Sequence, residues 1–536
     1  MRSRAIVVGG ILGISLMTGG WLLQRGLLGD RSAQRHARLF DQVMEHVESF
    51  YVDTLTSSEL YERAAVGLVG QLGDPGSAYL TAERLSRLND QARGSYGGVG
   101  MSVDARGGRL IVIAPRAGGP ADRAGVQTGD RVLSIDGEPV AGLTSDEAIR
   151  RLRGEPETSV KIVVERPGLD GQLTVTLTRD DIHVPSVARA IVFEGGVGYA
   201  DFNVFSDSSA EELRAALDSL REGGARSFIL DLRNNPGGLL AQGVAVADIF
   251  LPDGDVIVET RGKLESDTRT FKAGDGTRWP DVPVVVLLNM GSASASEIVA
   301  GALQDHDRAV VVGSTSFGKG SAQTVLPLVN GGAIRLTTAR WFTPLGRSIA
   351  RSYLPVTDDL EAAVDSAPRR ERYVTPGGRV VYGGGGIAPD VAIEESAPDQ
   401  STLALRSAVG SHMEDLRAVI TDVSIEQRTA GRIGAPDFEV TPALRASVLR
   451  RLSARGVSVD STQWAEAEPS LDRLIAVEIA RYVFGRDAAF RRSAAEDLVL
   501  QRAIELARAS SDRGDLLRRA AADTARRTPV TADARE

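Results

Sequence analysis

Apolar residues recur at helical spacing at Leu39, Val43, Val47 and Tyr51 and again at Leu60, Ala64, Leu68 and Leu72, which predicts two amphipathic helices. Asp74-Pro75-Gly76-Ser77 ends the second, and Thr81 is placed to cap a third. The period then changes. Tyr96-Gly97-Gly98-Val99-Gly100-Met101 is a glycine-rich loop, Leu110–Ile113 is strand-like, and Gly129–Gly137 reads as a short strand closed by the Asp136-Gly137 turn. A helix from Ser145 to Leu152 and a strand from Val160 to Glu165 follow. From Val197 strands and helices alternate: Val197–Phe202 is a strand, Ser209–Glu222 a helix, and Phe228–Leu232 a continuous apolar run of the kind buried on both faces. Arg233-Asn234-Asn235-Pro236-Gly237-Gly238 leads to another helix. Val284–Leu288 feeds Ser292-Ala293-Ser294-Ala295-Ser296-Glu297, and Val310–Val312 feeds Phe317-Gly318-Lys319-Gly320. Ile334–Ala339 is a further strand. Residues 348–386 are polar and irregular and read as an insertion or mobile loop. Beyond Glu394 the pattern is helical, punctuated by Pro436 and Pro442, and from about Asp515 there are too few large apolar residues to predict an ordered end.

Composition narrows the classes. A chain of 536 residues with 42% hydrophobic and 25% charged residues is an ordinary multidomain globular protein. A net charge of -9 argues against a nucleic-acid partner, which requires a clustered basic face. Cysteine is absent, which excludes disulfides, thiolate catalysis and cysteine-ligated metal. Met1-Arg2-Ser3-Arg4 precedes an uncharged, mostly apolar run from Ala5 to Leu23 with no clear A-x-A cleavage site. Such a start predicts an exported protein of the cell envelope or periplasm, held in the inner membrane by residues 5–23, with Arg2 and Arg4 in the cytoplasm. The expected organisation is α/β with mixed α+β parts: 1–29 a signal peptide or membrane anchor, 30–93 a helical arm, 94–168 a small β domain, 169–395 an α/β core with the 348–386 insertion, and 396–536 a helical region.

Three loops follow the carboxyl ends of strands, where open α/β sheets place their sites: the Gly237-Gly238 loop, the serine-rich turn and the Lys319 loop. A strand that turns directly into a helix leaves backbone N–H groups free to hold developing negative charge, and a hydroxyl on that turn can act as a nucleophile. Histidine is the usual proton acceptor, but His306 lies twelve residues after Ser294 on the same predicted helix, about 18 Å along its axis. His36, His46, His183 and His412 have no motif around them. Lysine is scarce, with only Lys161, Lys263, Lys272 and Lys319 among 62 basic residues, so arginine has taken nearly every place where charge alone suffices. A desolvated lysine can yield its proton and arginine cannot. Lys319 follows a strand expected to run beside the one that feeds the serines, which predicts a Ser/Lys dyad with Ser292, Ser294 and Ser296 as candidates.

The series from Tyr96 to Glu165 resembles a PDZ domain, and that resemblance implies that Gly98, Val99, Gly100 and Met101 capture the carboxylate of a protein tail added as an extra strand. Ser292–Glu297, Gly301-Ala302-Leu303-Gln304-Asp305, and Phe317-Gly318-Lys319-Gly320 with Gln323 resemble the signature of the carboxyl-terminal processing (tail-specific) peptidases. Tyr51-Val52-Asp53, Asp74-Pro75, Asp231–Gly238 and Gly386-Ile387-Ala388-Pro389-Asp390 extend the likeness from Leu39 to Ile393. It implies an α/β serine protease core with an inserted PDZ domain, Ser294 as nucleophile, Lys319 as base, Gln323 orienting the lysine, and the Gly238 and Ala295 amides as oxyanion hole. Asp305 matches a family aspartate but is too far along the helix for proton transfer, so a structural role is expected; Arg153 matches an arginine that in relatives couples tail docking to the site, against a plain surface charge. Gly76 stands where relatives often carry histidine, in a segment taken as scaffold. Neither metal nor cofactor is implied, and the partners expected are a protein tail, the membrane and a second copy of the chain. The alternatives are a catalytically inactive PDZ scaffold binding protein tails and an acyl-thioester enzyme with no nucleophile, which would leave the PDZ-like series unexplained.

Overall fold

The structure, a computed structural model, describes residues 31–106, 109–274, 277–351, 370–393 and 398–527, and these form two compact units. The expected anchor, Ala5–Leu23, lies outside the described residues. Among the described residues no helix is long and apolar enough to cross a membrane.

The first unit comprises the described residues up to Glu83 together with 323–337. Helices Arg31–Phe50 and Ser57–Gly70 form where the apolar period placed them. A reciprocal capping box starts the second: the Glu59 N–H donates to the Thr56 hydroxyl, and the Thr56 N–H donates to the Glu59 carboxylate. The buried positions are Met44, Leu60 and Val69, while Leu39, Val43, Leu68 and Leu72 stay at least half exposed. Spacing identified the helices but not the side of each that packs within the unit. Strand Ala78–Leu80 pairs antiparallel with Ala333–Arg335.

In the second unit, Ser95–Gly98 of the glycine-rich segment pairs antiparallel with Asp180–His183, and Met101–Arg106 begins a separate six-stranded antiparallel sheet. Asp136 and Gly137 both have positive φ, 49° and 86°, and join Arg131–Ile135 to Glu138–Pro139 as the two-residue hairpin that an Asp-Gly pair favours. Helix Ser145–Leu152 closes the core of this sheet with Ala148 and Leu152, beside Val112, Ile162 and Leu177. The sheet continues past the expected limit at residue 168: Ser159–Glu165 pairs in full register with Gln172–Thr178, so the glycines at 168 and 171 belong to a hairpin turn within the domain.

The central sheet contains β1 (Val187–Phe193), β2 (Val197–Phe202), β3 (Ser227–Asp231), β4 (Val284–Leu288), β5 (Val310–Gly313) and β6 (Val391–Ala392), side by side in chain order. β1 is antiparallel to β2, and all later neighbours are parallel. Strands added in sequence by right-handed crossovers put their connecting helices on one face. Accordingly α1 (Ser209–Glu222), α2 (Leu240–Asp248) and α3 (Ala295–Asp305) share one core with Phe228, Leu230, Val284, Val286 and Val311. The opposite face presents Tyr199, Ile229, Val285, Leu287, Val310 and Val312, and needs separate cover.

The C-terminal region supplies that cover. Helix α4 (Met413–Thr429) belongs to a bundle with its own core of Leu416, Val423, Leu452, Leu471 and Ile475, and Ile425 from it packs with Ile111 of the antiparallel sheet. Asp422 accepts from Arg131 at 2.9 Å and Arg455 at 3.0 Å, fastening the same two parts. Helices α5 (Leu498–Ala509) and α6 (Arg513–Arg527) then lie on the open face of the central sheet through Leu500, Ile504, Leu506, Leu516 and Ala520. The expectation of a frayed end from Asp515 is therefore corrected: Leu516 and Ala520, one turn apart, are 0% and 2% exposed, and two well-placed apolar residues order a helix that average composition does not predict. Part of the expected insertion is also ordered. Arg372–Val374 and Val380–Tyr382 form a hairpin anchored by Arg379 on Asp307, whereas 352–369 lie outside the described residues.

Candidate active site

β4 and β5 run parallel with Leu288 opposite Gly313, so the serine turn and the Lys319 loop leave the same edge of the sheet, as expected. Ser294 opens α3 with φ 55° and ψ -114°, a backbone conformation unfavourable for serine by about 1–3 kcal/mol. The turn keeps that shape because its neighbours fix it. The Ser292 hydroxyl donates to the Leu232 carbonyl at 2.8 Å, and the Ser296 hydroxyl donates to the Asn235 carbonyl at 3.0 Å. Both side chains are fully buried, whereas Ser294 is half-buried. Two of the three candidate hydroxyls are thus consumed in joining the turn to the loop that follows β3.

That loop is held as tightly. The Asn234 N–H donates to the Asn289 side-chain oxygen at 2.9 Å, the Asn289 amide returns a bond to Asn234, and the Ala293 N–H donates to the Asn235 carbonyl. The Asn235 amide donates to the Phe202 carbonyl at 2.7 Å. Gly237, at φ 91°, brings its backbone so close that a Cβ would lie 2.7 Å from Ser294 Cβ. A Cβ on Gly238 would meet the Phe205 carbonyl oxygen at 2.1 Å. Only glycine permits these approaches. Among the described residues no acceptor meets the N–H of Gly238 or of Ala295, the first residue of α3.

Lys319 is half-buried, and its backbone is pinned at both ends: its N–H donates to Glu297 at 2.9 Å and its carbonyl accepts from the Trp341 indole at 2.9 Å. Glu297, two residues into α3, is wholly buried and also accepts from the Ser294 N–H, the Gly318 N–H and the Ser316 hydroxyl. Burial pushes its carboxyl up, against these hydrogen bonds, which favour the ionised form. The serine-x-x-glutamate spacing is a capping-box pattern visible in the sequence; its reach into the Lys319 loop is not.

The other expected positions are equally definite. Asp305 forms a fully buried ion pair with Arg347 and accepts from the Leu345 N–H at 3.0 Å, which is a structural role. The Gln323 side chain donates to Thr337 at 3.3 Å within the first unit. Within the same unit a Cβ on Gly76 would lie 2.7 Å from the Thr337 hydroxyl and 2.9 Å from the Gln323 amide. His306 caps the end of α3 on the Val256 carbonyl, His183 pairs with Glu212 and His412 with Asp415. Val99 and Gly100 lie between two strands with Gly100 at φ 64°, and the adjoining groove, about 30 Å³, is lined by Val99, Met101, Val103, Ile149 and Leu152. The Arg153 guanidinium sits 4.2 Å over the Tyr96 ring at the rim of that groove. One link escaped the sequence: Arg233 pairs with Asp231 and with Asp497, the N-cap of α5, tying the loop after β3 to the C-terminal region.

A strained serine turn and a glycine loop at one edge of an α/β sheet, in a chain that also carries an antiparallel β domain with a glycine-rich loop, point to the class of serine-type peptidases with a PDZ domain. The family profile described as Peptidase family S41 matches residues 196–362, and that of a PDZ domain matches 111–166. The chain is 38% identical over 348 residues to a carboxy-terminal-processing protease of Bartonella bacilliformis, covering 64% of this chain and 78% of that relative. It is 32% identical over 326 residues to the carboxy-terminal processing protease CtpA of Bacillus subtilis, covering 60% and 69%. Among solved structures it is similar to a photosystem II D1 C-terminal processing protease, at 29% identity over 66% of this chain and 86% of that one, with a TM-score of 0.35. The protein belongs to peptidase family S41, the carboxy-terminal processing proteases.

Proposed function

We propose that this protease cuts peptide bonds with Ser294 as nucleophile and Lys319 as general base. The observation that carries the choice of serine is the engagement of Ser292 and Ser296 in buried hydrogen bonds, which leaves Ser294 on the strained turn beside two amides that meet no acceptor among the described residues. Attack transfers the Ser294 proton to the neutral Lys319 amine. The carbonyl oxygen becomes an oxyanion held by the Gly238 and Ala295 N–H groups, and the protonated amine then supplies the leaving amine with its proton. Water hydrolyses the acyl-enzyme by the same route. Incubation of the purified protein with casein at about pH 7–8, beside Ser294→Ala, tests this: the wild type degrades casein and the variant does not, and equal degradation by both would overturn it.

Gln323 orients the lysine in this scheme. Because a methyl group on Gly76 would crowd Gln323 and Thr337 within the first unit, Gly76→Ala is expected to cost about 1–3 kcal/mol of stability, read as a lower unfolding temperature. An unchanged unfolding temperature would mean that these side chains move aside without cost. The tail of the substrate docks through its carboxylate on Gly98, Val99, Gly100 and Met101, and the narrow apolar groove favours a small apolar terminal side chain. Arg153 at the rim couples this docking to the site. The chain works in the cell envelope, with residues 5–23 as its inner-membrane anchor.

A further inference from the structure

The proposed chemistry leaves Glu297 without a part, although its side chain accepts four hydrogen bonds at the site. Its Oε2 accepts from the Ser294 N–H at 2.8 Å and from the Lys319 N–H at 2.9 Å. Its Oε1 accepts from the Ser316 hydroxyl at 2.6 Å and the Gly318 N–H at 2.7 Å. One oxygen atom therefore holds the backbones of both residues that would exchange the proton, and its twin holds the loop just before the lysine. A buried carboxylate is costly unless donors compensate it, and here three backbone N–H groups and one hydroxyl do so. A cap confined to α3 would need only the Ser294 bond. The other three reach across to a different loop, which the Ser316 hydroxyl continues by accepting from the Ile387 N–H at 2.7 Å.

We propose that Glu297 is the positioning residue that sets the Ser294 and Lys319 backbones in register, so that the approach of amine to hydroxyl is fixed by one shared acceptor. The proposal rests on the Ser/Lys assignment above. Its contribution falls on the proton transfer and not on substrate binding, because none of its bonds is to a group that would touch the tail or the groove.

The test is Glu297→Gln, which keeps the shape but sets an NH2 group against N–H donors, together with Ser316→Ala, which removes one donor and leaves the carboxylate. Amide hydrogen exchange is followed in segments 292–298 and 316–320 alongside kcat and KM on casein and binding of a short peptide with a free carboxyl terminus. Glu297→Gln is expected to speed exchange in both segments and to lower kcat about a hundredfold, with KM and peptide binding unchanged. Ser316→Ala is expected to do the same more weakly, about tenfold in kcat, and carries the test if Glu297→Gln fails to fold. Faster exchange in only one segment, an unchanged kcat, or a loss confined to KM would overturn the proposal. Exchange reports the shared hold without relying on the chemistry. If Ser294→Ala and Lys319→Arg remained active while both segments loosened in Glu297→Gln, it is the dyad assignment that would fall.

Discussion

Lys319→Arg is expected to abolish cleavage of an unfolded protein as completely as Ser294→Ala does, a loss of at least about 10³-fold in kcat/KM. The substitution keeps the positive charge and leaves the main-chain bonds of residue 319 to Glu297 and Trp341 intact, so the loop has no reason to move. What it removes is the neutral form. A lysine partly withdrawn from water loses its proton far more readily than a guanidinium, and only the neutral amine can accept the proton of a serine hydroxyl. Glu297 cannot substitute for it, because its oxygens already accept four hydrogen bonds and face the backbone. The decisive measurement is casein turnover by wild type, Lys319→Arg and Ser294→Ala at matched unfolding temperature. Appreciable turnover by Lys319→Arg would rule out a lysine base.

Deleting residues 497–536 is expected to leave a chain without a stable central sheet. α5 and α6 bury Val499, Leu500, Ile504, Leu506 and Leu516 against the face that the connecting helices leave open. At about 1.5–3 kcal/mol for each fully buried side chain, these five amount to about 8–15 kcal/mol, as large as the whole net stability of a typical domain. The deletion also exposes Tyr199, Ile229, Val285 and Val312 on the sheet and strips Arg233 of Asp497. Circular dichroism and limited proteolysis of the truncated chain should show loss of cooperative unfolding, and the milder Leu500→Ala should cost about 2–5 kcal/mol while remaining folded. A soluble truncated chain with a sharp thermal transition would mean that the face does not require these helices.

Much of the site could be read from residues alone because its constraints are local and chemical. The alternation of β3, α2, β4 and α3 follows from runs such as Phe228–Leu232 and Val284–Leu288, which suit only a strand buried on both faces. The Asp136-Gly137 hairpin follows from the cost of positive φ for other residues. The scarcity of lysine in an arginine-rich chain, together with the place of Lys319 after a strand expected beside the serine turn, made it a candidate without any structure. The limit of the β domain was misjudged because a glycine-rich hairpin turn at 168–171 looks, in one dimension, like a linker.

By itself the sequence determined the strands and connecting helices of the central sheet from β2 to β5, which three loops follow its strand ends and which residue types could exchange a proton there, since these depend on periodicity, turn stereochemistry and side-chain acidity. Only the tertiary structure decided that two of three neighbouring serines are consumed as hydrogen-bond staples, that Glu297 spans two loops, and that the C-terminal helices cover the second face of the sheet. Those outcomes depend on which groups meet across long separations in the chain, and a side chain's identity does not say which distant donor or apolar surface will lie against it.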